Sequence, residues 1–140
     1  MNLLALDTGT EFLSIALRTD GPHGSRVVEH QSAGGAKAST DLIAAVLQML
    51  ADAGVRLADL DAICFGSGPG SFTGLRTACA VAQGLAYGVQ NASRPDGLPV
   101  LAVDTLLALA EAARQTWAQT REPVPGVIVA LLDARMDELY

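Results

Sequence analysis

A glycine-rich segment, residues 66–76, constrains the fold of this chain more than any other feature of its sequence. It reads Gly-Ser-Gly-Pro-Gly-Ser-Phe-Thr-Gly-Leu-Arg, follows the apolar run 62–65 and precedes an almost entirely apolar segment, residues 77–87. An apolar strand, a glycine-rich bend and a helix in this order are typical of α/β folds whose helix starts direct backbone N–H groups at an anion or a partner surface. Because the helix is apolar on nearly every side, which a phosphate loop alone does not require, the segment predicts a nucleotide-fold scaffold adapted to bind another protein.

The rest of the chain supplies the other elements of a mixed α/β sheet. Turn signals rich in Gly and Asp separate three apolar or alternating segments, which predict an antiparallel meander: residues 3–6, 13–18 and 26–31. A helix then begins near Ser39 and stops at Gly54. Two strand–helix units follow: 61–65 with 71–87, and 100–103 with 105–117. This order predicts an α/β domain of the ribonuclease-H-like, actin-like ATPase (ASKHA) class, a mixed sheet with a three-strand antiparallel meander and helices on both faces.

The end of the chain predicts the beginning of a second domain. Pro123 and Pro125 mark a linker, and the apolar residues 127–132 predict a new strand. We therefore expect residues 1–122 to form a first actin-like domain. Residues 123–140 are expected to form a linker and the first strand of a truncated second domain.

Charge and composition argue against some classes of binding partner for this chain. Lys and Arg number 9 against 15 Asp and Glu, which gives a formal net charge of −6, and basic residues form no cluster. A nucleic-acid interface needs such a cluster, so we expect no direct nucleic-acid binding. No basic leader precedes the first apolar run and no apolar stretch is long enough to span a bilayer, so we expect a cytoplasmic protein without membrane contact. Cys64 and Cys79 lie within apolar runs and are expected to be buried free thiols.

The turn formed by Asp7, Thr8, Gly9 and Thr10 is the first candidate site. Actin-like folds place a carboxylate and a tight turn at this point, against nucleotide phosphates and their metal ion. The four residues are therefore a candidate vestigial nucleotide-binding turn. The alternative is an ordinary hairpin bend, since Asp and Gly favour turns for local reasons. A nucleotide site of this fold would also need a phosphate turn and an adenosine pocket from the second domain.

The glycine-rich segment matches neither of the common phosphate-binding templates. Ser71 occupies the place of the third glycine of a dinucleotide fingerprint, and no Gly-Lys-Ser/Thr sequence follows as a Walker A loop requires. We predict instead that the segment allows a close backbone approach and fixes a helix start, with Ser71 or Thr73 capping free N–H groups. The predicted helix-start loop comprises Gly68, Pro69, Gly70, Ser71 and Thr73. Phosphate binding by this loop is the alternative.

The two long helices predict a partner surface. Apolar residues form two stripes on the first helix and surround most of the second, and a helix that is apolar all round must be covered all round. Small residues at Ala80, Gly84 and Gly88 would let another helix approach closely. The predicted partner interface comprises Leu42, Val46, Met49, Leu50, Arg76, Ala80, Gln83, Gly84 and Tyr87. The alternative is that both helices are enclosed within their own domain.

Hydrolytic or metal chemistry has little support in the sequence. His23 and His30 lack the spacing of a metal-binding motif, and Ser67 and Ser71 do not lie in a Gly-x-Ser-x-Gly nucleophile elbow. We therefore expect no catalytic residue, no metal site and no bound cofactor in this chain.

Four segments of the chain resemble the bacterial TsaB (YeaZ) family, whose members continue into a second domain. They are residues 7–10, 66–76, 82–86 and 133–135, and the run Gly-Pro-Gly-Ser-Phe-Thr-Gly-Leu-Arg is highly specific. The resemblance implies a role in making threonylcarbamoyladenosine beside the anticodon of tRNA. It implies three partners: a TsaD-like catalytic subunit, a TsaE-like ATPase, and a second copy of the chain, as a homodimer in isolation. ATP, ADP and Mg²⁺ would then belong only to the full assembly.

Two places in the sequence affect which properties of the family the resemblance implies for this chain. The helix that begins near Ser39 stands where TsaD has its metal-binding histidines, and Leu42 and Val46 replace them here, so the resemblance implies no metal chemistry. Ala38-Ser39 replaces a His-Ser or His-Thr pair common among TsaB members, which affects the contacts at the start of this helix. The favoured function is a non-catalytic scaffold that binds and activates a TsaD-like subunit. The alternative is an actin-like ATPase or a glycoprotease-type metallopeptidase.

Overall fold

The computed structural model describes residues 1–22, 24–34, 38–120, 126–135 and 138–140. Within these ranges, the strands of the main sheet are β1 (Asn2–Asp7), β2 (Phe12–Gly21), β3 (Gly24–Ala33), β4 (Ala62–Gly68) and β5 (Val100–Asp104). The α-helices are α1 (Ala38–Asp52), α2 (Phe72–Tyr87) and α3 (Thr105–Ala118). A short 3-10 helix spans Leu57–Asp59, and the strands β6 (Asp133–Arg135) and β7 (Glu138–Leu139) pair with each other near the end of the chain.

The main sheet combines an antiparallel meander with two parallel strands, in the order β3-β2-β1-β4-β5. β2 pairs antiparallel with both β1 and β3, whereas β4 pairs parallel with both β1 and β5. Leu13, Ile15 and Leu17 alternate with smaller or polar residues and are buried on one face of β2, as expected of a half-buried strand. The predicted mixed sheet with its three-strand meander is therefore confirmed.

Helices cover both faces of the sheet, as the sequence predicts. α1 and α2 contact each other on one face, where they share a core with Leu4 and Leu6 of β1. Successive side chains of a strand point to opposite faces, so Asp7 of β1 points the other way. There it lines a groove together with Thr105 and Ala108 of α3. The sheet thus separates the α1–α2 layer from α3.

The hydrophobic core lies between the sheet and the α1–α2 layer. Its largest fully buried side chains are Leu4, Leu13, Leu17, Leu42, Val46, Leu60 and Ile63. Full burial of one such side chain contributes about 1.5–3 kcal/mol. By contrast, α3 contains no buried residue. None of the helices in the described ranges combines the length and apolar character that crossing a membrane requires.

The helix ends follow the local sequence. Ser71 Oγ accepts a hydrogen bond from the Gly74 N–H at 3.5 Å ahead of α2, and Asp104 Oδ1 accepts one from the Leu107 N–H at 2.9 Å ahead of α3. These bonds satisfy N–H groups that a helix start otherwise leaves without a partner. Gly54 follows α1 with a φ of 66°, in the left-handed region that favours glycine after a helix.

The end of the chain differs from the prediction. Residues 127–132, predicted as a strand, form none, and strand pairing begins only at Asp133. Apolar composition alone does not make a strand, because the backbone N–H and C=O groups need a neighbouring strand. The described part of the chain places no strand beside residues 127–132. The predicted domain boundary after residue 122, the linker prolines Pro123 and Pro125, and His23 lie outside the described residues.

Candidate functional site

The candidate nucleotide turn and the glycine-rich loop pack directly against each other. The Thr8 hydroxyl donates a hydrogen bond to the Gly74 carbonyl at 2.7 Å, and the Ser71 N–H donates to the Gly9 carbonyl at 2.6 Å. The Gly9 N–H donates to Asp7 Oδ1 at 2.8 Å, which closes the turn locally. Two motifs that are far apart in the sequence thus form one unit at the carboxyl ends of β1 and β4. We call this unit the turn–loop clamp.

The glycines of the clamp allow backbone contacts that a larger side chain would block. A Cβ on Gly74 would overlap the Thr8 carbonyl, and a Cβ on Gly66 would overlap the Asp7 carboxylate. A Cβ on Gly70 would lie 2.8 Å from the Gly9 carbonyl oxygen, also too close. Gly68, just before Pro69, adopts a φ of 105° that favours glycine. The glycine pattern of this loop therefore has a steric explanation.

The polar groups of the clamp bind one another. Asp7 accepts from the Gly9 N–H, Thr8 is 4% exposed and donates to Gly74, and Thr10 Oγ1 accepts from the Phe12 N–H at 3.1 Å. Among the described residues, no group of three His, Cys, Asp or Glu side chains could hold a metal ion. These contacts account for the turn at Asp7–Thr10 without a ligand, and a nucleotide role for it stays a prediction.

Removing the Thr8 hydroxyl tests the clamp. Thr8→Val should lower the free energy of unfolding by roughly 1–3 kcal/mol, because it leaves the partly buried Gly74 carbonyl without its hydrogen-bond donor. Urea denaturation followed by circular dichroism measures the loss. Thr10→Val is the matched control, since Thr10 is exposed and its hydroxyl only accepts a longer bond. Equal stability of the two variants would show that the Thr8 bond does not hold the clamp together.

The second helix presents one exposed side away from the sheet. Ala78, Val81, Ala82 and Ala86 of α2 are buried. The α2 residues of the predicted partner interface are all exposed: Arg76, Ala80, Gln83, Gly84 and Tyr87. At 100° per residue they form a single stripe opposite the buried side. Phe72, which is not among the predicted interface residues, adjoins this stripe and is 67% exposed.

On the first helix the prediction selected the wrong stripe. The α1 residues assigned to the partner interface are instead part of the chain's own core: Leu42, Val46, Met49 and Leu50. Leu42 and Val46 are 0% exposed, so they have no surface to offer a partner. The exposed apolar residues of α1 are Ile43 at 42% and Leu47 at 52%. Both stripes are apolar, so the helix pattern alone could not show which one faces the sheet.

The exposed sides of α1 and α2 form one surface. Gln48 and Asp52 of α1 line a groove against β3, so Ile43 and Leu47, on the other flank of α1, lie on the side of α2. The two helices contact each other, which makes their exposed sides continuous. We call this surface the α1–α2 face. It comprises Ile43, Leu47, Phe72, Arg76, Ala80, Gln83, Gly84 and Tyr87.

A separate groove of 430 Å³ lies on the opposite face of the sheet, beside α3. It brings Asp7 close to Cys64 and Thr105, a grouping that the sequence did not indicate. The Thr105 hydroxyl is buried and has no hydrogen-bond partner within the described residues. Burial raises the pKa of the Cys64 thiol and so favours its protonated, unreactive form. Cys64 and Cys79 are free, as expected, but only half-buried.

Comparison with known proteins identifies related sequences. The family model for TsaD, tRNA N6-adenosine threonylcarbamoyltransferase, matches residues 27–140. The tRNA threonylcarbamoyladenosine biosynthesis protein TsaB of Escherichia coli K12 is 36% identical over 140 residues, an alignment that covers 100% of this chain and 53% of that protein. The chain therefore spans about half the length of the curated relatives it matches.

Solved structures of related proteins also superimpose on this chain. YeaZ from Pseudomonas aeruginosa superimposes with a TM-score of 0.77 at 41% identity, over 99% of this chain and 57% of that chain. RuvC from Thermus thermophilus superimposes with a TM-score of 0.53 at 14% identity, over 90% of this chain and 86% of that chain. The similarity to RuvC shows the ribonuclease-H-like fold alone. The similarity to TsaB and YeaZ along the chain, together with the family-model match, shows that the chain belongs to the TsaB/YeaZ family.

Proposed function

We propose that this chain is a non-catalytic partner module in the bacterial machinery that makes threonylcarbamoyladenosine beside the anticodon of tRNA. In this role it binds and activates a TsaD-like catalytic subunit, in a cytoplasmic assembly that also includes a TsaE-like ATPase. A second copy of the chain occupies the same surface when the subunit is absent. ATP, ADP and Mg²⁺ act elsewhere in the full assembly. Membership of the TsaB/YeaZ family supports the pathway.

The observation that carries the proposal is the α1–α2 face. Leu47 and Tyr87 are 52% and 70% exposed, and Ala80 and Gly84 on the same face offer little side-chain bulk. Water in contact with such a surface is unfavourable, and patches of this kind are typical of protein-binding sites. The small residues would let a partner helix approach the α2 backbone closely. A stable interface buries about 800 Å² on each partner, which the exposed sides of two helices of this length can provide.

Several hydroxyl and carboxylate groups already form hydrogen bonds within the chain, which favours a binding role over a hydrolytic one. The Ser67 hydroxyl donates to the Val103 carbonyl at 3.1 Å, and Ser71 caps α2. A serine nucleophile instead needs a base within hydrogen-bond reach. Asp7 accepts the turn's own N–H group, as described above. These contacts give structural roles to the residues that an ATPase or a metallopeptidase of this fold would use.

A charge on the α1–α2 face tests the proposal. Leu47→Glu should weaken binding to the TsaD-family subunit of the same organism by about 100-fold or more, because covering a carboxylate with apolar surface costs several kcal/mol. Isothermal titration calorimetry measures the affinity. Circular dichroism should show an unchanged fold, since Leu47 is half-exposed.

Leu109→Glu is the matched control for this experiment. Leu109 is 50% exposed and lies on α3, across the sheet from the α1–α2 face. The control should bind the subunit like the unmodified chain. If Leu47→Glu also binds with unchanged affinity, the α1–α2 face is not the binding surface and the proposal is wrong.

A further inference from the structure

Arg76 lies on the α1–α2 face, one turn after Phe72 in α2, and none of the described residues is a polar partner of its side chain. Its guanidinium carbon lies 3.8 Å from the centroid of the Phe72 ring, one turn earlier in α2. This cation–π contact favours one orientation of a long, exposed side chain. Within the described ranges, Arg76 takes part in no salt bridge and donates no hydrogen bond to protein atoms, so its N–H groups point to solvent.

Four of the described arginines have polar partners within the chain, whereas Arg76, like Arg26, has none among the described residues. Arg56 binds Asp59 at 2.6 Å, and Arg114 binds Glu111 at 2.6 Å. Arg94 donates to the backbone carbonyls of Ala58 and Leu60. Arg76 thus stacks on an aromatic ring while its N–H donors remain available.

The surroundings of Arg76 determine what a partner must supply. The other residues of the α1–α2 face carry no charge: Ile43, Leu47, Phe72, Ala80, Gln83, Gly84 and Tyr87. A partner that covers this face also removes water from the guanidinium, and a cation desolvated without a counter-ion is strongly unfavourable. The face therefore requires an anionic group on the partner, opposite Arg76.

A protein carboxylate fits this requirement better than an RNA phosphate. RNA binding relies on several cations that neutralise neighbouring phosphates, whereas the α1–α2 face has one and the chain carries a net charge of −6. A guanidinium that stacks on an aromatic ring among uncharged residues is typical of protein interfaces, where Arg often dominates the affinity. A carboxylate also accepts the two parallel hydrogen bonds that a guanidinium offers.

Building on the proposed function, we infer that the partner subunit places an Asp or Glu side chain against Arg76 on the α1–α2 face. The apolar residues around this pair supply contact area, and the ion pair fixes the orientation in which the two surfaces meet. Partners without a carboxylate at that point are excluded, because they would bury the guanidinium unpaired.

Neutralising Arg76 tests the inference. Arg76→Gln should weaken binding to the TsaD-family subunit on the order of 30-fold or more, the range found when one partner of a buried charge pair is lost. Arg76→Lys should recover only part of the affinity, since an ammonium does not form the paired bonds of a guanidinium. Arg114→Gln, on the far side of the sheet, is the control and should leave the affinity unchanged.

Charge reversal identifies the partner residue. Arg76→Glu should lose binding, and an Asp→Arg or Glu→Arg change at one surface position of the subunit should restore it. Unchanged affinity for Arg76→Gln, when Leu47→Glu abolishes binding, would overturn this inference and leave the proposed function standing. Loss of self-association alone, or loss of tRNA binding alone, would assign Arg76 to a second copy or to RNA and also overturn it. If neither variant affects binding, the proposed function fails with the inference.

Discussion

Gly74→Ala should destabilise this chain by about 3 kcal/mol or more, whereas Gly84→Ala, in the same helix, should stabilise it. A Cβ on Gly74 would overlap the Thr8 carbonyl, and backbone cannot move aside as the end of a flexible side chain can. A Cβ on Gly84 would meet nothing within 4 Å, so only the higher helix propensity of alanine remains, about 0.5–1 kcal/mol. The free energy of unfolding in urea measures both effects.

The two variants form a matched pair because the chemical change is identical. Helix propensity alone would make both substitutions stabilising, so their difference isolates the contact between the glycine-rich loop and the turn at Asp7–Thr10. A stabilised Gly74→Ala would mean that the loop does not lie against Thr8. It would also remove the steric explanation offered for the glycine pattern.

The strand and helix order was predictable because it depends on local signals. Alternating apolar residues such as Leu13, Ile15 and Leu17 predict a half-buried strand wherever the strand sits in the sheet. Helix caps are also local signals, because Ser71 and Asp104 accept hydrogen bonds from N–H groups only three residues away. The meander, the two strand–helix units and the helices on both faces follow from such signals combined with the topology rules for parallel strands.

The turn–loop clamp could not be predicted because its contacts are remote in sequence. Thr8 and Gly74 are 66 positions apart, and only the parallel pairing of β1 with β4 brings them together. The sequence indicated that the glycines permit a close approach without indicating what approaches. The same limit applies to the groove beside α3, where Asp7 lies close to Cys64 and Thr105.

The sequence led to the wrong prediction of which of the two apolar stripes of α1 is exposed. A helical pattern shows which residues share a side, but not which side meets the sheet when both are apolar. Leu42 and Val46 meet the sheet, and Ile43 and Leu47 stay exposed. Partner binding by the two helices stays a prediction, with Ile43 and Leu47 as its α1 residues.

A carboxylate at position 46 should unfold the chain, whereas one at position 43 should not. Val46 is 0% exposed, so Val46→Glu places a charge among the apolar side chains of the core. An uncompensated charge there costs several kcal/mol, comparable to the whole stability of a domain, typically about 5–15 kcal/mol. Ile43 is 42% exposed, so Ile43→Glu can keep its carboxylate in water at little cost to stability.

Circular dichroism and thermal melting distinguish the two variants, with partner binding as a second readout. We expect Val46→Glu to lose its cooperative melting transition, and Ile43→Glu to melt like the unmodified chain while binding the partner subunit more weakly. A Val46→Glu variant that stays folded and loses only partner binding would contradict the structure. It would mean that α1 is rotated about its axis, with the Leu42–Val46 stripe on the surface. Because positions 43 and 46 lie on the same helix, the experiment shows directly which side of α1 packs in the core.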